Sequence, residues 1–425
     1  MKHTGKNILI ISHNPLSKVN NNGKTLVSIF KGVPEENIYQ IYLNSDVPDY
    51  SEYCHYIQLN EKQILSSVFK IKNLCCREIK ATPDKISSAT IKNHNFGNHT
   101  KRLLRECVWK LSFWKLKLGE WLKDKHFDVV FFMAGDGLFA YDVYSFVIKN
   151  ISAKGCMFFT DDYIIEKTSF SPVATIRRSL LKSKIKKTLK SINELYVISD
   201  EMRDAYYDLY NVKGYVIRNF SVEKKNSTIT TLPQKTVPLV MVYAGGLHYN
   251  RWKVLSQIAK QLSNLNKLSE VKCCLKIYSA QNISNKIINQ LSIEGASEFL
   301  GSASASQIAD IYANADILLH VESFEKKAIA STKYSFSTKI PEYLSAGKCV
   351  LAVGPAAVAS IRYLADFACV SSNEKEIQSV LARLLNDDEY RAKIKYNCET
   401  RYEKDFSEET QKKCLEQILA FSQTL

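Results

Sequence analysis

Residues 335 to 355 read SFSTKIPEYLSAGKCVLAVGP, a string that changes character twice. Ser337, Thr338 and Lys339 open a short apolar-periodic stretch. Gly347 then offers the left-handed residue that ends helices, and Cys349 to Val353 is a run of strand formers. The spacing predicts a helix start at 337–339, a glycine stop and a buried strand. At such a start two hydroxyls, the free backbone amides and the Lys339 ammonium all reach an oxyanion such as a diphosphate. Glu342 follows Lys339 by three positions on the same face, where a carboxylate can accept bonds from both hydroxyls of a ribose.

Upstream, the apolar run Ile317 to His320 reads as a strand and leads into Val321-Glu322-Ser323-Phe324. Further back, strand Leu239 to Ala244 runs into Gly245-Gly246-Leu247-His248-Tyr249-Asn250-Arg251-Trp252-Lys253. Two glycines at a strand's carboxyl end allow an anion close to the backbone, and Arg251 or Lys253 in the next helix's first turn can pair with phosphate oxygens. The plain alternative is a glycine turn followed by solvated basic residues.

The same alternation of short β-rich runs and longer amphipathic stretches fills most of the chain, the pattern of crossover units around a parallel sheet. The first half has Asn7 to Ser12, Ile38 to Leu43, Asp128 to Met133, Cys156 to Phe159, Glu194 to Ile198 and Gly214 to Ile217. The second has Leu239 to Ala244, Val271 to Ser279, Glu298 to Leu300, Ile317 to His320, Cys349 to Val353 and Cys369 to Val370. After Ser372 the chain reads as helical, over 374–385, 388–404 and 407–422. Ser221 to Pro238, SVEKKNSTITTLPQKTVP, is polar and carries two prolines, so it reads as a linker. Residues 51 to 100, rich in Lys, Asn and Ser, read as irregular structure or a loop-rich insertion. At roughly 150 residues per domain, 425 residues suit two domains.

Composition bounds the partners. The chain is 45% hydrophobic and 24% charged, which excludes a disordered polymer. Its 11 cysteines are odd in number and include no C-x-x-C, which argues for a reducing compartment and against a disulfide framework or a structural zinc site. Lys plus Arg is 58 against 43 for Asp plus Glu, a net charge of +15 that suits nucleic acid, acidic lipid or a phosphorylated small molecule. The apolar run Ile8 to Ile11 is too short for a secretory signal, and the longest apolar runs fall short of the roughly 18 residues that span a bilayer. A soluble or membrane-surface protein is expected.

Two stretches concentrate the positive charge. Residues 101 to 125 carry eight Lys or Arg against three acids, interleaved with Trp109, Phe113, Trp114 and Trp121, and residues 176 to 190 carry seven basic residues and no acid. Aromatics and lysines on an amphipathic helix suit an anionic membrane surface; the alternative is a core helix with a solvated basic face. No nucleic-acid-binding motif accompanies either stretch, so no nucleic-acid partner is expected, although a polyanion-binding protein remains the rival reading of the charge.

In the first half, strand Asp128 to Met133 ends in Ala134-Gly135-Asp136-Gly137, and Cys156 to Phe159 ends in Thr160-Asp161-Asp162-Tyr163. Asp136, Asp161 and Asp162 there can bind substrate hydroxyls or simply cap helices. His13 closes the first strand. Gly23, in Asn22-Gly23-Lys24-Thr25, resembles the end of a phosphate loop, but the glycine that pattern needs five positions earlier is Lys18; it marks either a ligand approach at a helix start or an ordinary turn.

The strings YAGGLHYNRWKVL (243 to 255), FLGSASASQIADIYANADILLHVESFE (299 to 325) and SFSTKIPEYLSAGKCVLAVGP (335 to 355) resemble, in order and spacing, the C-terminal domain of GT-B fold nucleotide-sugar glycosyltransferases. The likeness is to the retaining "glycosyltransferase group 1" or family 4-like enzymes of bacterial polysaccharide synthesis; the first half shares only the strand rhythm and YVISDEMRDAYYDLYNVKGYVIRN (196 to 219). The resemblance implies an α/β fold of two Rossmann-like domains facing each other across a cleft. An acceptor domain would span 1–220, a linker 221–238 and a nucleotide-sugar domain 239–405. A last helix, 406–425, would pack back on the first domain.

The resemblance also implies roles. Arg251 and Lys339 would neutralise the donor's diphosphate, with Ser337, Thr338, Gly245 and Gly246 around it. Glu342 would grip the ribose, and Glu322 would stand near the transferred sugar. The family usually has seven residues between its paired glutamates where this chain has nineteen, and its frequent Gly-Arg is here Gly245-Gly246. His13, Gly23, Asp136, Asp161 and Asp162 would face the acceptor. No metal and no cofactor beyond the nucleotide-sugar co-substrate is expected. The expected acceptor is a saccharide, lipid-diphosphate-linked, at the cytoplasmic face of a membrane, in capsule, exopolysaccharide or O-antigen assembly. A nucleotide-sugar epimerase or sensor on the same fold would bind the nucleotide and transfer nothing.

Overall fold

The structure, a computed structural model, describes residues 5–18, 21–59, 64, 76–82, 99–166, 171–220 and 238–420. The chain divides into two compact units, Met1–Ser221 with Gln411–Leu425, and Val222–Thr410.

The first unit is built on an eight-stranded sheet. Its strands are β1 (Ile8–Ser12), β2 (Ile38–Tyr42), β3 (His55–Gln58), β4 (Arg77–Ile79), β5 (Val129–Ala134), β6 (Lys154–Phe159), β7 (Glu194–Val197) and β8 (Gly214–Val216). They lie in the order β4-β3-β2-β1-β5-β6-β7-β8, parallel except for the β3/β4 pair. Every residue of β1, β5 and β6 is buried, as a parallel sheet covered on both faces requires. The described helices are α1 (Asn21–Ile29), α2 (His99–Leu111), α3 (Trp114–Leu122), α4 (Leu138–Asn150), α5 (Pro172–Leu189) and α6 (Asp200–Tyr210).

Three sequence readings meet the structure here. The stretch 51–100 is not wholly irregular: it contains β3 and β4, which extend the sheet beyond β2. Both are short, and β4 is an exposed antiparallel edge with no apolar alternation to announce it. The segment read as a linker, 221–238, lies outside the described residues apart from Pro238. In the aromatic basic stretch, Trp109 and Trp114 are each only 2% exposed and pack edge to face, so they belong to the core. What α2, α3 and the turn between them show to solvent is instead Leu104, Leu111, Phe113 and Leu116, and α5 adds Ile176 and Leu180.

The second unit carries β9 (Leu239–Ala244), β10 (Cys273–Tyr278), β11 (Ser297–Gly301), β12 (Ile317–Val321), β13 (Cys349–Val353) and β14 (Cys369–Ser371), all parallel, in the order β11-β10-β9-β12-β13-β14. This is the doubly wound order, and it reverses between β9 and β12. Its helices are α7 (Arg251–Leu268), α8 (Asn285–Leu291), α9 (Ala305–Ala313), α10 (Lys326–Thr332), α11 (Lys339–Ser345), α12 (Ala359–Ala365), α13 (Ile377–Asn386) and α14 (Asp388–Phe406).

The last helix, α15 (Glu408–Leu419), joins the first unit from Gln411 onward. Gln411 donates to the carbonyls of Ile29 and Lys31 at 2.9 and 3.0 Å. At the other end Lys154 donates to the Gln417 and Ala420 carbonyls at 3.0 and 2.8 Å, and Lys6 to that of Leu419. Carbonyls in a helix's last turn lack intrahelical donors and carry its negative pole, so two ammoniums satisfy both needs. Lys154 also pairs with Glu194 at 2.9 Å with 3% of its side chain exposed. Lys154→Met, which keeps the stem and removes the charge, is expected to cost about 3 kcal/mol by stranding Glu194 and the two carbonyls. Urea unfolding followed by a probe in the first unit reads this; a loss within error would show that the ammonium is not an anchor.

Candidate functional site

In the second unit the sequence-predicted residues stand at the carboxyl ends of β9 and β12, beside the reversal of strand order where open α/β sheets bind ligands, and at the start of α11. Gly245 and Gly246 follow β9. A Cβ on Gly245 would stand 2.9 Å from the Tyr243 hydroxyl and 3.2 Å from Lys339 Cε, and one on Gly246 would stand 2.4 Å from His248 Nδ1. The glycines therefore let the chain pass directly beneath the Lys339 stem and the His248 ring. Tyr243 locks the turn by donating to the Gly246 carbonyl at 2.7 Å.

Tyr249 and Asn250 then adopt left-handed backbone angles, φ 58° and 61°. Two such non-glycine residues in succession are strained, and the strain sits immediately before Arg251, the first residue of α7. Arg251 makes a bidentate bond to Glu322, with Nη2 at 2.9 and 2.8 Å from the two carboxylate oxygens and Nε at 3.2 Å. Its Nη1 stands 2.9 Å from His248 Nε2. A guanidinium only donates, so His248 accepts there as the neutral ring with its proton on Nδ1.

Glu322 is 3% exposed. Its amide donates to the Val353 carbonyl at 2.9 Å, and Gly354 packs so closely that a Cβ there would lie 2.8 Å from Glu322 Cβ. His320 Nε2 stands 3.5 Å from Glu322 Oε1 and has no hydrogen-bond partner of its own. Burial alone would raise the Glu322 carboxyl, but the neighbouring His320 ring and the Arg251 charge outweigh it and hold the group below the ordinary carboxylate value.

Ser337, Thr338, Lys339 and Glu342 form the start of α11 as the sequence predicts. Lys339 is its first residue and Glu342 lies in its first turn. Thr338 occupies the cap position without a side-chain cap bond. The Ser337 amide donates to Ser360 Oγ at 2.9 Å, and Ser360 Oγ to the Ser335 carbonyl at 3.2 Å. Tyr343 fixes the helix to β12 through the Leu319 carbonyl at 3.2 Å, and Gly347 ends the element at φ 61°. Tyr243, His248, His320, Tyr343 and Gly354 were not singled out from the sequence. Only the polar His320 closing an apolar strand signalled itself there.

In the first unit His13, Asp136 and Asp161 stand at the carboxyl ends of β1, β5 and β6. The buried Gln40 shapes the turn at His13, donating to Ser12 Oγ at 2.8 Å and the Asn14 carbonyl at 3.1 Å. Asp136 pairs with Arg102 at 2.6 Å and lies 3.6 Å from Arg177. Two of the predicted residues serve the chain itself. Asp162 is buried and accepts the amides of Ile164, Ile165 and Glu166 at 2.8 to 2.9 Å, the capping alternative. The space a side chain on Gly23 would need is filled by the Pro15 carbonyl at 2.5 Å and by Ser17, so that glycine admits a neighbouring loop. Among the described residues no group of three or more His, Cys, Asp or Glu is arranged to hold a metal ion.

No protein-family model and no curated protein matches the sequence. Solved structures do match over nearly the whole chain. HepE of Anabaena, solved in complex with UDP, superposes with a TM-score of 0.62 at 13% identity over 97% of this chain and 98% of its own. An α,α-trehalose-phosphate synthase (UDP-forming) from Burkholderia xenovorans gives 0.60 at 9% identity, over 97% and 100%. WaaG, described as a glycosyltransferase involved in lipopolysaccharide biosynthesis, gives 0.56 at 15% identity, over 97% and 99%. The chain has the GT-B fold. At these identities the likeness speaks for the fold and for nothing finer.

Truncating one member of the buried pair, as in Glu322→Leu, is expected to destabilise the second unit by about 3 kcal/mol, and Arg251→Met with Glu322→Leu by much less than the sum of the single changes. A double-mutant cycle in urea measures the coupling, and simple additivity would show there is none. Because the folded-state value of Glu322 lies below its unfolded value of about 4.3, the pair's contribution is complete above that pH and is lost as pH falls through the lower folded value. Glu322→Gln is expected to flatten that acid limb.

Proposed function

We propose that this chain is a retaining glycosyltransferase that moves a hexose-type sugar from a nucleotide-diphosphate donor to a hydroxyl of a lipid-linked saccharide acceptor. The supporting observation is the convergence of Gly245, Arg251, Glu322 and Lys339 at the switch point of the second sheet. As the bond from the anomeric carbon to the diphosphate oxygen breaks, negative charge collects on the leaving phosphate, and the Arg251 guanidinium and Lys339 ammonium stabilise it. The acceptor oxygen bonds to the anomeric carbon from the same face, and its proton passes to the departing phosphate oxygen, so no protein base is required. Glu322 holds the guanidinium in one orientation before charge develops, Ser337 and Thr338 line the diphosphate, and Glu342 takes the ribose hydroxyls. The first unit binds the acceptor near His13, Asp136 and Asp161.

The partner surface in this reading is an anionic membrane at its cytoplasmic face, in cell-surface polysaccharide assembly. No described helix is long and apolar enough to cross a bilayer. Leu111, 70% exposed, with Leu104, Phe113 and Leu116, lies among Lys101, Lys110 and Lys115, a combination suited to the headgroup boundary of acidic lipid.

One nucleoside diphosphate among UDP, GDP and dTDP, or CMP, is expected to raise the melting temperature, and Lys339→Ala and Glu342→Ala are each expected to abolish that rise. Sugar transfer with the donor's anomeric configuration kept, read by NMR of the product, completes the assignment. A polyanion that stabilises the protein while every nucleotide fails would overturn it, and nucleotide binding without transfer would leave an epimerase or sensor in its place. For the membrane, co-sedimentation with phosphatidylcholine vesicles containing phosphatidylserine is expected to fall several-fold in Leu111→Gln/Leu116→Gln. Undiminished binding would remove these side chains from the contact.

A further inference from the structure

His320 is the polar member of a strand otherwise made of Ile317, Leu318, Leu319 and Val321. It is 4% exposed and pairs in register with Ala352 of β13. The Glu322 amide continues that ladder onto the Val353 carbonyl at 2.9 Å. Residues two apart on extended chain project to the same face, and here that brings His320 Nε2 to 3.5 Å from Glu322 Oε1. A ring nitrogen facing a carboxylate at this range carries the proton. Yet a formed N–H···O bond measures roughly 2.7–3.2 Å, and Nε2 is buried with no hydrogen-bond partner among the described residues. Leaving a buried donor unmet costs about 1–3 kcal/mol, and an apolar side chain would complete the β12 run without that cost.

The carboxylate that His320 faces is already engaged. Arg251 sets Nη2 at 2.9 and 2.8 Å from its two oxygens and Nε at 3.2 Å, while Nη1 lies 2.9 Å from His248 Nε2. Each of the three guanidinium nitrogens therefore has a protein partner. Burial raises the Glu322 carboxyl, and the His320 ring and the Arg251 charge together more than reverse that. A phosphate drawn to Arg251 sets a second anion on the same guanidinium, which weakens its hold on Glu322 and repels the carboxylate. A carboxylate buried to this depth then needs another donor.

We propose that His320 is a positioning residue whose Nε2 proton closes on Glu322 Oε1 as a ligand phosphate takes up Arg251, an inference that rests on the donor-diphosphate role given to Arg251 above. A movement of about half an ångström forms the bond. It keeps the carboxylate ionised and in place, so the guanidinium stays aimed while it carries the phosphate. One neutral tautomer of the ring already has its proton on Nε2, so the step calls for no change of charge. His320 acts through Glu322 and not on the ligand itself. The donor left unmet in β12 thus finds its match when the site is in use.

The probe is inorganic pyrophosphate, titrated calorimetrically against sodium chloride of matched ionic strength. His320→Phe keeps a ring and removes the donor, whereas His320→Gln keeps an N–H of similar reach. Pyrophosphate is expected to bind His320→Phe about ten-fold more weakly than the unaltered protein, with most of the affinity restored in His320→Gln. In the Glu322→Gln protein the same His320→Phe change is expected to alter affinity by less than about two-fold, because no carboxylate remains to be held. His320→Leu provides the same comparison should His320→Phe fail to fold. Equal binding by His320→Phe and the unaltered protein overturns the inference. So does a loss as large in His320→Gln, or one that persists with Glu322→Gln, since the ring then only fills its place in β12. Pyrophosphate binding that Lys339→Ala leaves unchanged, or no binding at all, overturns the donor-site reading and the inference with it. Binding that depends on Lys339 but not on His320 overturns the inference alone.

Discussion

The bond between Arg251 and Glu322 joins the two sides of the point where the second sheet reverses its strand order. Arg251 opens the helix after β9, and Glu322 follows β12 directly. A buried ion pair of this kind gives little net stability, because desolvation consumes most of what attraction returns. Its value lies in direction. The strained turn at Tyr249 and Asn250, the close approach of Gly354 and the neutral His248 all serve to keep one guanidinium in one place. Fixing a charge before it is needed is what separates a preorganised site from a basic surface.

The two units handle positive charge differently. In the second, one buried arginine is matched by one buried carboxylate, and Lys339 is added on the stem-thin space above Gly245. In the first, Arg102 and Arg177 both lie against Asp136, while Glu106 is engaged by the start of α4. Lys154 shows a third arrangement, an ammonium committed to the end of a helix. The net charge of +15 is thus not one feature with one cause. Part of it is structural, part lies on an apolar-basic outer face, and part stands where ligands approach a parallel sheet.

Much of this was legible in the residues. Strands such as β5, β9, β12 and β13 are buried along nearly their whole length and write themselves as unbroken apolar runs, and α11 announced both its start and its glycine stop. β3 and β4 were missed because His55, Gln58, Arg77 and Glu78 interrupt them, so neither writes an apolar run. Contacts that depend on distant residues left no local trace. Asp162 read as a cap or a ligand contact, Gly23 as a turn or a ligand approach, and Trp109 and Trp114 as core or interface, and only the neighbouring loops and the closed core show what packs against each. Glu106 passed as one acid in a basic stretch, because its partners at Leu138 and Phe139 lie some thirty residues away.

The return of α15 to the first unit makes that unit discontinuous along the chain. During synthesis the second unit's residues all emerge before Gln411 does, while the first unit waits for its final helix, with the carbonyls of Ile29 and Lys31 lacking the Gln411 amide and the Lys154 ammonium holding Glu194 but not yet the helix end. Closing so long a loop is an entropic cost met late, after local structure has formed. The earlier-synthesised half of the molecule is therefore the later one to mature, and a nascent chain stalled before residue 411 would display an intact second unit beside an unfinished first.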